Sequence, residues 1–290
     1  ASLTDQSLST GDTPYEIRLL ADKETNILTI TDTGIGMTKE ELINNIGTIA
    51  KSGTSEFIKQ LKENQGDTGN LIGRFGVGFY SVFMVASKVT ITSLSYKQGA
   101  EPVRWISDGL GSYQLEAVTE EIKRGTSIRI ELKEDAKKFA DAAEIKNVIE
   151  THSNFINFPI FLEDKKINTV SAIWKRNKSE IKEDEYAEFY KFLSHDSEPP
   201  METIHINIDA PIQFNALLFI PQRNFDFFGM NRDQRGLDLY VRKVLIQHEN
   251  KELIPEYLGF VKGVVDSEDI PLNISRETLQ ENANFNKIAK

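Results

Sequence analysis

Asp32-Thr33-Gly34-Ile35-Gly36-Met37 closes an alternating run, NILTITD at 26–32. A carboxylate at a strand end, followed by two glycines, can accept a hydrogen bond from an exocyclic amine while the backbone comes close to a flat ring. Glycine permits that approach because it lacks Cβ and tolerates positive φ. Asp and Gly are also the commonest turn residues, so the same run serves equally as a strand-to-helix turn. Farther on, Gly73-Arg74-Phe75-Gly76-Val77-Gly78-Phe79 crowds glycines ahead of an apolar stretch. Such spacing leaves backbone N–H groups free to hold phosphate oxygens, helped by the dipole of a following helix. It is not a Walker A loop, because no Gly-Lys-Ser/Thr follows, and Ser81 stands where a dinucleotide fingerprint needs its third glycine. Close packing is the alternative use of these glycines. Gly125-Thr126 opens a further alternating run with Ile128, Ile130 and Leu132. Taken alone, that threonine is ordinary β-propensity.

These residues need elements to hold them. YEIRLLAD at 15–22 and NILTITD at 26–32 alternate well enough to be paired strands, with Lys23 to Thr25 as the turn. Thr38-Lys39-Glu40-Glu41 has the spacing of a capping box, and the apolar Leu42, Ile43 and Ile46 follow it, so a helix starts there. Residues 62–71 are polar and glycine-containing, which predicts an exposed loop. Val77 to Ala86 is the most apolar stretch; it is about half of what spans a bilayer, and predicts a buried helix. Strands are predicted at 88–95, 103–107, 112–118 and 126–132, a helix at 140–156 and a strand at 158–162. The charged step Glu163-Asp164-Lys165-Lys166 is the candidate boundary, giving domains 1–163 and 164–290. Beyond it, a helix is predicted at 182–194, strands at 203–209, 213–220 and 237–246, a strand end and loop over 264–275, and a further helix from Arg276. Antiparallel strands mixed with helices make the first block an α+β two-layer sandwich; the second reads as an α/β layer domain.

Composition narrows the chemistry. The chain has 290 residues and a net charge of −10, so broad electrostatic binding to nucleic acid or an anionic membrane is not expected. There is no cysteine, which removes disulfides, thiolate metal sites and cysteine nucleophiles. No two of His152, His195, His205 and His248 sit at the spacing of a metal pair on one helix face. No membrane span and no metal site of the protein's own are expected.

Together the motifs say more than they do apart. DTGIGM, then LINNIGTIAKSGT, then GRFGVGFYS, then GT before a strand, resemble the ATP pocket shared by gyrases, heat-shock chaperones, histidine kinases and mismatch-repair proteins. LINNIGTIAKSGTSEF and GVGFYSVFMVA are similar to the heat-shock-protein-90 chaperone family among these. The second block carries its own likeness to that family's middle domain in AIWKRN, EYAEFYKFL, ALLFIPQ, LYVRKVLIQ and ELIPEYLGFVKGVVDSEDIPLNISRETLQ. The resemblance covers essentially the whole chain. It implies the gyrase/heat-shock/histidine-kinase ATPase fold followed by an α/β middle domain. It also implies an ATP-dependent chaperone that binds client proteins and clamps as a homodimer.

By the same resemblance Asp32 accepts the adenine amino group, with Gly36, Met37 and Thr126 completing the base pocket. Asn45 and Lys51 lie near sugar and phosphates, and Gly76, Val77, Gly78 and Phe79 wrap the phosphates at the base of a mobile lid of which 44–75 forms the bulk. Arg276 is similar to the middle-domain arginine that reaches the γ-phosphate, with Asn273 and Gln280 beside it. A guanidinium suits that role, presenting a planar fork of donors that stays charged. From spacing alone, Arg276 would be a surface residue paired with Glu277 or Asp269. Phe225-Asp226-Phe227-Phe228-Gly229-Met230 reads either as an exposed client contact or as core.

The sequence departs from the family pattern as well. Ala1–Asp22 holds no Glu-x-x-x-Asn to supply the water-polarising glutamate and the Mg2+-binding asparagine. The expectation is therefore ATP or ADP binding with Mg2+ whose protein ligand is not in this chain, and an ATPase activity belonging to a longer parent. The alternative is a non-hydrolysing, nucleotide-gated protein-binding fragment. A histidine-kinase or gyrase-type enzyme needs a phosphoacceptor histidine region or a transducer lysine, and neither is identifiable. The short joint EDKKINTVSAIW is similar to mitochondrial and bacterial forms, and LYVRKVLIQ with VVDSEDIPLNISRE leans to the mitochondrial type. That implies the mitochondrial matrix, with the cytoplasm as the alternative.

Overall fold

A computed structural model describes residues 14–47, 78–168, 172–223, 235–270 and 283–289. The chain divides into two compact units, Ala1–Thr169 and Val170–Lys290.

The first unit is built on an eight-stranded sheet in the order β5-β4-β3-β6-β2-β1-β7-β8. Its strands are β1 (Ile17–Asp22), β2 (Ile27–Asp32), β3 (Ala86–Leu94), β4 (Val103–Ser107), β5 (Tyr113–Ala117), β6 (Gly125–Leu132), β7 (Ile160–Leu162) and β8 (Lys165–Lys166). Neighbours run antiparallel except β1 and β7, which are parallel. The helices α1 (Lys39–Asn45) and α2 (Ala142–His152) put Leu42 and Ile145 into one core with Leu19, Val89, Ile91, Trp105 and Ile130 of the strands. That arrangement gives the two layers of an α+β sandwich, and burying a leucine such as Leu42 is worth roughly 1.5–3 kcal/mol. The expected capping box is formed: Glu41 N–H donates to Thr38 Oγ1 at 3.3 Å, and Thr38 N–H to Glu41 Oε2 at 2.8 Å. Asp141 caps α2 through Ala143 N–H at 2.8 Å, which is why that helix begins after residue 140.

Two expectations change here. The apolar stretch before β3 is not a buried helix: Phe79–Met84 forms a 3-10 turn with no buried residue, and Met84 is 78% exposed. Val85 then ends that turn and Ala86 pairs with Leu132, so the sheet claims the residues that a longer helix would need. The charged step at 163–166 lies inside the first sheet, where β7 and β8 pair Phe161 with Lys166 across Glu163 and Asp164. Two lysines on that edge strand discourage pairing with another chain.

The second unit holds a five-stranded sheet in the order β12-β11-β13-β10-β9, from β9 (Glu202–Ile208), β10 (Phe214–Ile220), β11 (Leu237–Val241), β12 (Val244–Asn250) and β13 (Lys262–Ser267). β11 and β13 are parallel, and the remaining pairs antiparallel. Both faces of β10 are covered. Ala216 joins a core with Leu239, Val265 and Phe285, while Phe219 packs against Phe189 and Tyr190 of α3 (Glu183–Ser194). The short helix α4 (Ala283–Ile288) contributes Phe285. The stretch predicted as one strand over 237–246 is a hairpin. Arg242 and Lys243 turn it at φ of 53° and 65°, the left-handed pair that a two-residue hairpin loop requires. Neither residue is glycine or asparagine, so the turn carried no sequence signal. Phe225 to Met230 lie outside the described residues. Among the described residues, no helix is long and apolar enough to cross a membrane.

Candidate functional site

The ends of β2, β3 and β6 bring three polar side chains into one row. Asp32 pairs with Thr126 across β2 and β6, and Thr126 pairs with Ser93 across β6 and β3. Directly opposed residues in a sheet share a face, so the three side chains are neighbours there. Ile17 and Val103 continue the row on either side, which makes it a polar island in an apolar line.

Asp32 ends its strand in a turn. Gly34 N–H donates to Asp32 Oδ1 at 2.7 Å, and the Thr126 backbone N–H also donates to the carboxylate. Burial nevertheless dominates, and holds the carboxyl above its ordinary 3.8. Among the described residues no cation forms an ion pair with Asp32. It is thus an acceptor kept in a half-buried setting without a balancing charge, which is costly unless it serves a purpose.

Two glycines let the surrounding backbones close in. Gly36 has a φ of +61°, and a Cβ on it would lie 1.9 Å from the Leu94 carbonyl oxygen. Gly125 has a φ of +129°, and its Cβ would lie 2.1 Å from the Asp32 carbonyl oxygen. A side chain at either position would push apart the strand ends that carry the row. Thr33 fastens the same turn, accepting from Glu16 N–H at 2.8 Å and donating to the Pro14 carbonyl at 2.6 Å. Tyr96 N–H donates to the Ile35 carbonyl at 2.8 Å.

The structure thereby gathers Asp32, Gly36, Met37 and Thr126, four of the residues singled out for a base pocket. It adds Ser93, which sequence reasoning passed over. Met37 N–H donates to Ser93 Oγ at 2.9 Å, so Ser93 fixes the loop that follows Gly36. The available signal was periodic: Val89, Ile91 and Ser93 are the inward positions of β3, and a hydroxyl after two aliphatic residues marks a polar site in the core.

Asn45 is the last residue of α1 and is half-buried. Gly78 opens the 3-10 turn on the surface, with open space around a Cβ. The Phe79 ring packs edge-on against Trp105, at 5.7 Å between centroids, so its side chain serves the core and only its backbone is left for a ligand. Tyr80 Oη donates to the Ile46 carbonyl, joining this turn to the end of α1. Lys51, Gly76, Val77, Asn273, Arg276 and Gln280 lie outside the described residues. Among the described residues, no group of three His, Asp or Glu side chains is placed to hold a metal.

These residues fit the base of a nucleotide. An acceptor carboxylate, a buried hydroxyl beside it and backbone brought close by glycines suit a flat ring bearing an amine.

Comparison with known proteins agrees. Residues 1–136 match the family described as histidine kinase-, DNA gyrase B- and HSP90-like ATPase, and residues 161–290 match the family described as Hsp90 protein. Chaperone protein HtpG of Oleidesulfovibrio alaskensis is 52% identical over 288 residues, covering 99% of this chain and 45% of that protein. HtpG of Nitratidesulfovibrio vulgaris is 52% identical over 94% of this chain and 44% of its own length. HtpG of Chlorobium phaeobacteroides is 47% identical over 96% of this chain and 45% of its length. The chain spans a little under half the length of the curated relatives it matches. These relatives are bacterial, which overturns the mitochondrial assignment. With an ATPase-type match on its first half, an Hsp90 match on its second, and relatives alike across both, the chain belongs to the Hsp90 protein family and carries its nucleotide-binding fold.

Proposed function

We propose that the protein is an ATP-dependent molecular chaperone, with the first unit as its nucleotide-binding domain and the second as its middle domain. The observation that carries this reading is the row Asp32–Thr126–Ser93 between Gly36 and Gly125. In it, the ionised Asp32 accepts the adenine amine, and the backbone at Gly36 and Met37 lies along the ring. Asn45 stands at the sugar side, where α1 ends. Lys51 and the backbone of Gly76, Val77, Gly78 and Phe79 are assigned to the phosphates on the resemblance, and Mg2+ accompanies them.

Arg276, flanked by Asn273 and Gln280, is assigned the γ-phosphate on the same footing. Its planar donors suit charge that builds on a transferring phosphoryl group. Bound ATP supplies the free energy of phosphoryl transfer, and the protein uses it to cycle on client proteins as a homodimer. The relatives carry the name chaperone, which supports the client-binding half of this reading.

Calorimetric titration of the chain with ATP and ADP, beside Asp32→Asn, tests it. Binding that the substitution abolishes is the expected result. A chain that binds neither nucleotide, or binds both with Asn at 32, would overturn it.

A further inference from the structure

Ser93 is fully buried, and its hydroxyl meets Met37 N–H at 2.9 Å, the Gly125 carbonyl oxygen at 3.0 Å and Thr126 Oγ1 at 2.9 Å. A serine hydroxyl has one proton and two lone pairs. The Gly125 carbonyl can only accept, so that contact uses the Ser93 proton. Met37 N–H can only donate, and occupies one lone pair. The contact to Thr126 is then completed by the Thr126 O–H donating into the second lone pair. All of Ser93's capacity is spent, and Thr126's single proton points away from Asp32 toward β3. What Thr126 Oγ1 has left to offer is lone pairs.

We propose that Ser93 is a specificity-determining positioning residue: by fixing the direction of the Thr126 O–H, it makes the Asp32–Thr126 end of the row an acceptor-only surface. Such a surface selects a purine edge that carries an amine over one that carries a carbonyl. The inference rests on the nucleotide reading above and says which groups make it selective. A 6-amino purine donates to this surface. A 6-oxo purine brings its C6 carbonyl oxygen against this surface, leaving acceptor facing acceptor at that position and only its N1–H to donate, and discrimination of that kind comes from the unpaired groups as much as from the paired ones. If Ser93 is removed, the Thr126 hydroxyl is free to rotate and donate, and the penalty on the oxo edge falls. Ionised Asp32 contributes to the same discrimination, and Ser93 extends it by keeping Thr126 from adapting to the oxo edge.

The test is titration of the whole chain with ADP and with its 6-oxo counterpart, inosine diphosphate. The wild-type chain is expected to prefer ADP by about tenfold or more. Ser93→Ala is expected to reduce that preference about fivefold, and Ser93→Thr, which keeps the hydroxyl, to preserve it. Thr126→Val, similar in shape without the hydroxyl, should reduce the preference as Ser93→Ala does, and the double variant should go no further than either. The ratio of two affinities is insensitive to folding stability, which lowers both alike. Equal weakening of the two ligands in Ser93→Ala, or no change in either, would make Ser93 a packing residue and overturn the proposal. If Ser93→Ala does not fold, an unaltered ratio in Thr126→Val overturns it as well. ADP binding that Asp32→Asn abolishes while Ser93→Ala leaves the ratio intact would sink this inference alone. Absence of ADP binding to the wild-type chain would sink the nucleotide reading and this one together.

Discussion

Each unit draws an aspartate out of water, Asp266 fully and Asp32 in part, and burial pushes both carboxyls upward, yet the two are held differently. Asp266 of β13 has no exposed surface and is tied by two side chains, one of them a cation, together with one backbone N–H. Trp174 Nε1 donates to its Oδ2 at 2.9 Å, Lys243 N–H donates to the same oxygen at 3.2 Å, and Lys175 Nζ stands 3.7 Å away while bridging Glu268 at 2.8 Å. Asp32 takes its hydrogen bonds from backbone, and among the described residues no cation pairs with it. One carboxylate is a knot joining the 3-10 turn Ile173–Lys175, a hairpin loop and a strand. Among the described residues the other has no cation beside it and ends its strand against a close-packed backbone, while spare acceptor capacity is common to both, since Asp266 Oδ1 is buried there without a hydrogen-bond partner. A buried acid is therefore informative through its partners, not through its burial alone.

The sharpest way to break the comparison is at the backbone around Asp32. Gly36→Ala should cost the first unit about 3–5 kcal/mol, because the new Cβ meets the Leu94 carbonyl at 1.9 Å and φ is +61°. The two tryptophans, Trp105 and Trp174, lie one in each unit, so urea denaturation of single-tryptophan variants reports each separately. The loss should be confined to the Trp105 signal. Next in size, Asp266→Leu strands the indole N–H of Trp174 and the N–H of Lys243, and should cost about 2–4 kcal/mol on the Trp174 signal.

Asp32→Asn should behave in the opposite sense. The folded state raises this carboxyl, so its ionised form opposes folding at neutral pH and is relieved as pH falls through the raised value toward the ordinary 3.8. The substitution should therefore leave stability unchanged or raise it by up to about 1 kcal/mol at pH 7, with the gain vanishing on acidification. Nucleotide affinity of the wild-type chain should decline over the same acid range, starting above the pH at which an ordinary aspartate titrates, because protonation removes an acceptor. An affinity flat through that range would disconnect Asp32 from the ligand. Smallest of all, Lys97→Ala removes a half-exposed bridge to Glu41 and should change stability by about 0.5 kcal/mol or less in salt.

How far the sequence disclosed this follows from the kind of signal each feature leaves. Asp32, Gly36 and Thr126 drew attention only through the order of several motifs, because a strand-end carboxylate followed by glycines is by itself an ordinary turn, whereas Thr38 with Glu41 was legible because a capping box is a local pattern. Ser93 left only the period of its strand as a signal, since a serine in TITSL satisfies strand propensity and its partners Met37 and Thr126 are distant in the chain. Asp266 hid in VVDSED, a run that reads as a strand fading into a loop, because the indole and lysine that bury it come from residues 174 and 175. The 3-10 turn at Phe79–Met84 was read as a helix because apolar runs do not announce whether a sheet will claim their end. Local chemistry was visible, and long-range partnership was not.

The Tyr80 bond to the Ile46 carbonyl acts on two elements together. It holds the residue groups on either side of 48–77 against each other, so the points at which that stretch leaves and rejoins the fold are fixed without reference to what lies between. Removal of one phenolic oxygen at residue 80 would thus loosen the end of α1 and the 3-10 turn at once.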